Sequence, residues 1–362
     1  MMAATGLTSR GKLAEATATI QRAFAASLAT PAVERPAAAA PRPRPSSDSA
    51  FRTAFVDLGG NRASAAATPT SVRAKASARF SASSYTNASG TRAFKLFEPS
   101  GHEDESLPLV VMLHGCTQSP DDFAAGTRMN ELAQARGFYV LYPEQAARSN
   151  VNRCWNWFVP ADQKRGAGEP ALIAGMTRHV MQTHAVDADR VYVAGLSAGG
   201  AMAAILAREY PDLFAAAGVH SGLRAGAAHD VASAFGAMKA GPSSAGPAHP
   251  SAPMIVFHGS ADSTVAPANG DAVVAAALAT TPGAVAAEER GLAGPGRPWR
   301  RTQWHAVEAG DGISSAEHWV VEGSPHAWSG GSSAGSFTDP NGPDASAEML
   351  RFFLDHPRPL QG

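Results

Sequence analysis

The chain has 362 residues, 44% of them hydrophobic, and a formal net charge of −1. That length and apolar share allow one large α/β domain with a tail, or two modest domains. The near-neutral balance argues against nucleic acid as the main partner; two cysteines exclude a disulfide-dense scaffold and a cysteine-based zinc site; and no apolar run reaches the ~18 residues a spanning helix needs.

Residues 1–30 do not read as a secretory signal, because Lys12, Glu15 and Gln21 interrupt the apolar stretch. Leu13, Ile20, Phe24 and Leu28 recur at helical spacing and predict an amphipathic helix able to dock on its own domain, another subunit or a hydrophobic surface. Without a clear signal the reading points to the cytoplasm, with the extracellular space as the alternative. Residues 31–85 are rich in Ala, Pro, Ser and Arg and predict a flexible linker, stiffest at 41–45.

The folded domain is expected over 86–358. Strands are predicted at Thr91–Glu98, Pro108–His114, Phe138–Tyr142, Val191–Ala194, Phe214–His220 and Met254–His258. Thr302–Val307 and His318–Glu322 read as neighbouring strands around a Gly310-Asp311-Gly312 turn. Helices are predicted at Asn130–Arg136, capped by Gly137, and at Ala171–His184, Gly270–Ala279 and Ala345–Leu354, with a short one around Asp230–Met238. Strands alternating with helices give an α/β fold, a mostly parallel sheet with helices on both faces. Residues 223–252 and 266–301 are the least readable.

The stretch from Arg190 to Arg208 organises the rest. A short apolar strand runs into Gly195-Leu196-Ser197-Ala198-Gly199, and a small-residue helix pattern follows. This is the strand–turn–helix setting that presents a nucleophilic serine on a tight turn, where glycines avoid collisions. A serine hydroxyl needs a base to take its proton and an acid to orient that base. On such a sheet the order is serine, acid, histidine, each past the end of a later strand. Asp262, just beyond Met254–His258, is the candidate acid, ahead of Asp230 and Asp311. His326, on a Gly/Pro loop after the last strand, is the candidate base, ahead of His258 and His220. The amides of Ala198 and Cys116 are the candidate oxyanion donors, and His114 belongs to the architecture of that loop.

Cys116 and Cys154 are open to two readings, buried free thiols or a disulfide tying the oxyanion loop to residues 154–158. Trp155, Trp157 and Trp328 are candidate substrate contacts, since a hydrophobic acyl or aryl ester wants an aromatic wall. No metal ligand set and no organic cofactor is called for.

Five stretches, His114-Gly115-Cys116-Thr117-Gln118, Cys154-Trp155-Asn156-Trp157-Phe158, Gly195–Gly200, His258–Asp262 and Pro325–Gly331, resemble the polyhydroxybutyrate depolymerase family of esterases, to which feruloyl and acetyl-xylan esterases are related. The resemblance covers about 85–356. It implies an α/β-hydrolase fold and a serine carboxylesterase with Ser197, Asp262 and His326 as nucleophile, acid and base. It further implies an ester substrate: hydroxyalkanoate oligomers or related short-chain esters, with feruloyl or acetyl-xylan esters as the alternative. Many family members are secreted. A reading from another class is a catalytically silent hydrolase-fold protein that docks on a granule or polymer.

Overall fold

A computed structural model describes residues 77–102, 105–242, 248–293, 296–306 and 313–358. The predicted helix at 1–30, the linker up to residue 76, Asp311 and the 310–312 turn lie outside these residues.

The frame is a ten-stranded sheet. In chain order its strands are β1 (Arg79–Asn87), β2 (Gly90–Glu98), β3 (Leu107–Leu113), β4 (Tyr139–Pro143), β5 (Val186–Leu196), β6 (Ala216–His220), β7 (Met254–Gly259), β8 (Val285–Leu292), β9 (Pro298–His305) and β10 (Ser314–Val321). Across the sheet the order is β1-β2-β4-β3-β5-β6-β7-β10-β9-β8. Neighbours from β4 to β10 pair in parallel, whereas β1, β2, β8 and β9 join antiparallel at the two edges. Two short strands, β11 (Trp328–Ser329) and β12 (Thr338–Asp339), pair apart from the sheet.

The helices are α1 (Pro120–Thr127), α2 (Met129–Arg136), α3 (Gly168–Thr183), α4 (Ala198–Glu209), α5 (Val231–Ala240), α6 (Ala268–Ala277) and α7 (Ala345–Asp355). Successive residues of a strand point to opposite faces, and β3 shows what that does. Leu109, Val111 and Leu113 join a core with residues of α3, α4, α5 and α6. Val110 and Met112 join a second core with residues of α1, α2 and α7. A strand buried on both faces reads as an unbroken apolar run, which is why the sequence predicts a strand at Pro108–His114, close to the observed Leu107–Leu113.

Local chemistry sets the ends. Ser119 accepts the Asp122 amide at 3.3 Å, and Pro120 starts α1. Gly137 closes α2 in the left-handed region. Asp344 accepts the Ala347 amide at 3.0 Å and opens α7.

The expected architecture holds, with differences at its margins. β1 begins at Arg79, inside the stretch read as linker, because Arg79–Asn87 pairs along its length with β2. Its mostly exposed residues left no apolar pattern to read. α1 was not predicted: two aspartates and a glycine dilute its apolar face. β8, also missed, is exposed on both faces and held by pairing to β9 and by ion pairs such as Arg301–Glu289 and Arg300–Glu288. Among the described residues no helix is long and apolar enough to cross a membrane.

Candidate active site

Ser197 sits between β5 and α4 with φ 59° and ψ −119°, a left-handed conformation that is strained for a non-glycine residue. The glycines around it make this turn possible. A Cβ at Gly199 would lie 2.0 Å from the Leu113 carbonyl oxygen, and one at Gly195 would lie 2.4 Å from the Gly199 carbonyl carbon. The Ser197 amide donates to the His220 carbonyl at 2.9 Å, fixing the turn to the next strand. Ala198 opens α4, so its N–H belongs to the first turn, whose amides have no partner within the helix.

Asp262 lies three residues past β7. Its Oδ1 accepts the amides of Thr264 and Val265, each at 2.9 Å. Its Oδ2 faces Nδ1 of His326 at 2.7 Å and Nε2 of His258 at 3.5 Å. Burial pushes this carboxyl up, but the two imidazoles outweigh it and hold the group well below the usual carboxylate range.

His326 reaches the acid because two loops touch. A Cβ at Gly259 would fall 2.2 Å from the Ser324 carbonyl oxygen, so only a glycine lets the histidine loop lie against the end of β7. The Ala261 amide donates to that same carbonyl at 3.1 Å. On the other side, Ser324 Oγ bonds Asp339 at 2.7 Å, and the Trp328 amide bonds the Phe337 carbonyl at 2.7 Å.

Ser197, His326, Cys116 and Ala198 line one narrow cavity of about 30 Å³. Its wall is mostly apolar and includes Trp157, Phe158, Leu223, Val231, Phe235 and Met238. These last four come from the least readable part of the chain. Val231, Phe235 and Met238 stand at helical spacing, and that stripe was the available signal.

Cys116 and Cys154 form a disulfide. The pairing ties the 115–118 turn to the segment around Cys154, and beside it the Thr117 amide donates to the Asn152 carbonyl at 2.7 Å. Two of the three tryptophans require correction. Trp155 is fully buried outside the cavity lining, its Nε1 donating to the His114 carbonyl at 3.1 Å. Trp328 is likewise core: it stacks on His220, meets Phe123 edge-on and donates to Ser346 Oγ at 3.1 Å. An indole N–H that finds an internal acceptor can be buried whole, and both do. Trp157 does line the cavity.

The rival residues have other work. Asp230 caps α5 in a reciprocal pair with Ser233. His220 accepts the Ser329 amide on Nε2 at 2.9 Å, and burial holds its pKa well below normal. His114 faces the Gly115 carbonyl with Nδ1 at 2.8 Å and accepts the Gln145 amide on Nε2 at 3.1 Å, and burial lowers its pKa to about 4.

The family model described as Esterase PHB depolymerase matches residues 92–297. The chain belongs to this family. The matched stretch holds Ser197 and Asp262 and ends before His326. Poly(3-hydroxyalkanoate) depolymerase C of Paucimonas lemoignei is 40% identical over 197 residues, which is 51% of this chain and 47% of that protein. Feruloyl esterase B of Thermothelomyces thermophilus is 37% identical over 132 residues, 36% of this chain and 44% of that enzyme. The chain thus spans about half the length of the curated relatives it matches. Among solved structures, acetyl xylan esterase from Aspergillus awamori superposes with a TM-score of 0.59 at 20% identity, covering 76% of this chain and 99% of that one. That likeness concerns the fold, the α/β-hydrolase fold.

Proposed function

We propose that this member of the family is a serine carboxylesterase acting on short-chain esters of the hydroxyalkanoate type. His326 Nδ1 held 2.7 Å from Asp262, at a cavity that Ser197, Cys116 and Ala198 also line, carries the reading. In the reaction His326 takes the Ser197 proton on Nε2 as Oγ attacks the ester carbonyl. The Cys116 and Ala198 amides receive the oxyanion. The tetrahedral intermediate collapses to an acyl-enzyme, and the alcohol leaves with the proton from His326. Water, deprotonated in turn by His326, then releases the acid and restores Ser197.

Two observations support the substrate class. The cavity is narrow and apolar, which suits a small acyl group better than a broad aromatic one, and the relative with 40% identity is named for poly(3-hydroxyalkanoate). Acetyl esters, as in the name of the structural neighbour, satisfy the same size limit and form the second reading.

The test is turnover of a nitrophenyl short-chain ester, followed by ranking of hydroxybutyrate oligomers, feruloyl esters and acetylated xylan by kcat/KM. Ser197→Ala should lower kcat by at least roughly a thousandfold and abolish labelling by a fluorophosphonate. Full activity in the alanine variant would remove the assignment.

A further inference from the structure

The end of β6 touches all three segments that carry the proposed triad. The His220 carbonyl accepts the Ser197 amide at 2.9 Å, at the nucleophile turn. The Ser221 amide donates to the Phe257 carbonyl at 2.8 Å, on the strand that leads to Asp262. The His220 side chain reaches the third segment: its Nε2 accepts the amide of Ser329, on the loop that carries His326, at 2.9 Å. The two backbone contacts extend the ladder of a parallel sheet and need no particular residue. The side-chain contact does, because it requires an acceptor with a free lone pair at the end of a buried strand.

One tautomer of the ring fits these contacts. An Nε2 that accepts an N–H carries no proton, so the proton is on Nδ1. Nδ1 lies 3.2 Å from Ser221 Oγ, which accepts it. Ser221 is fully buried and held at φ 49°, a left-handed conformation that is strained for a non-glycine residue and that this bond helps to hold. Aromatic rings clamp the imidazole from two elements: Phe257 of β7 stacks on it at 5.7 Å, and Trp328 of the histidine loop at 5.1 Å. Burial, with His258 and His326 nearby, keeps the ring neutral. A proton on Nε2 would set two donors face to face and release the Ser329 amide. A neutral imidazole bonded through both nitrogens has no acid–base work left to do, so its effect is geometric. Asp262 fixes Nδ1 of His326, but where that ring stands relative to Ser197 depends on where its loop sits. Ser324 Oγ and the Trp328 amide tie the loop to residues 337–339. The Ser329–His220 bond ties it to the strand that holds the Ser197 amide.

We propose that His220 is a positioning residue for ester hydrolysis: its Nε2 holds the loop of the base in fixed relation to the nucleophile turn that its own carbonyl holds. The proposal rests on the serine-esterase reading. The experiment compares full-length wild type, His220→Leu and His220→Gln on a nitrophenyl short-chain ester. Active sites are counted by exhaustive fluorophosphonate labelling, and stability is followed by urea unfolding. Leucine fills the space of the ring but leaves the Ser329 N–H without an acceptor, whereas glutamine offers Oε1 near the place of Nε2. In His220→Leu, kcat per labelled site should fall by about a hundredfold, with KM changed by no more than about threefold. His220→Gln should recover kcat to within about tenfold of wild type. A side chain that only filled the core would lower the unfolding midpoint and the number of labelled sites in both variants and leave kcat per site unchanged. That result would overturn the proposal, as would equal losses of kcat in the two variants. The wild-type protein supplies a test that needs no variant to fold. Long-range proton–nitrogen NMR spectra of the histidine-labelled chain at neutral pH should show His220 with its proton on Nδ1 and a bare Nε2; a proton on Nε2 would overturn the proposal. A wild type that neither turns over an ester nor takes the label would remove the esterase reading and the proposal with it. An active wild type matched by an equally active His220→Leu would remove the proposal alone.

Discussion

At the scale of one residue, Asp262 shows how little freedom the proposed triad leaves. One carboxylate oxygen is pinned by two backbone amides at 2.9 Å, so only the other can meet His326. Facing a carboxylate oxygen, Nδ1 carries the proton, and under the proposed mechanism Nε2 is then the nitrogen that accepts from Ser197. Asp262→Asn tests the point. The amide oxygen would take the place that the Thr264 and Val265 N–H groups demand, and the NH2 would then face His326 Nδ1. Nδ1 would have to give up its proton to Nε2, and the base would be blocked. The expected result is a fall in kcat on the order of 10³- to 10⁴-fold, with KM changed only a few-fold. A loss below about tenfold would show that His326 does not depend on Asp262. The aspartate was legible because it follows a strand by a short loop. The amide pair that clamps it was not, since it depends on how residues 262–265 turn.

At the scale of elements, legibility followed how much of an element's character is local. The β5–Ser197–α4 unit announced itself because its backbone passes within van der Waals range of β3, and only glycine at 195 and 199 permits that approach. α5 was legible as a short helix around Asp230–Met238, but that its apolar stripe lines a cavity depends on Leu196, Val265, Trp157 and Phe158, all distant in sequence. Trp155 and Trp328 misled for the same reason, since nearness to Cys154 or His326 along the chain says nothing about which side of the backbone an indole fills. The disulfide between those regions is open to measurement. It closes a loop with a sequence separation of 38, for which the chain-entropy account gives about 4 kcal/mol. Reduction, or replacement of both Cys116 and Cys154 by alanine, should cost about 2–4 kcal/mol in urea unfolding. It should also slow ester turnover, because Cys116 carries one proposed oxyanion donor. Equal unfolding midpoints and slopes for the bridged and unbridged proteins would show that the surrounding hydrogen bonds hold the loop unaided.

At the scale of the whole molecule, the parallel part of the sheet buries several imidazoles on its strands or just past their ends. His114 follows β3, His220 ends β6, His258 lies near the end of β7, and His318 lies within β10. A sequence shows four histidines near strands; only the assembled sheet shows them denied water together. Burial is the largest cause lowering His114 to about 4 and His318 to about 3, and the Gln145 amide donated to His114 Nε2 requires a neutral ring. In the unfolded chain both would titrate near the ordinary value of about 6.5. The sign follows directly. Above that value both states are neutral and the histidines do not affect folding. As the pH falls below it, the unfolded chain binds protons that the folded chain refuses, and stability drops. The drop continues to about 4 for His114 and about 3 for His318. By pH 5 each should have removed about 2 kcal/mol. Asp262 adds to the loss only at lower pH, since its depressed pKa means that stability present above the unfolded carboxylate value disappears as the pH falls further. Urea midpoints should therefore decline between pH 7 and pH 5, before carboxylate protonation takes hold. A midpoint that is flat or rising over that interval would mean that these imidazoles are protonated inside the folded protein, and that the hydrogen bonding described around His114 does not persist in solution.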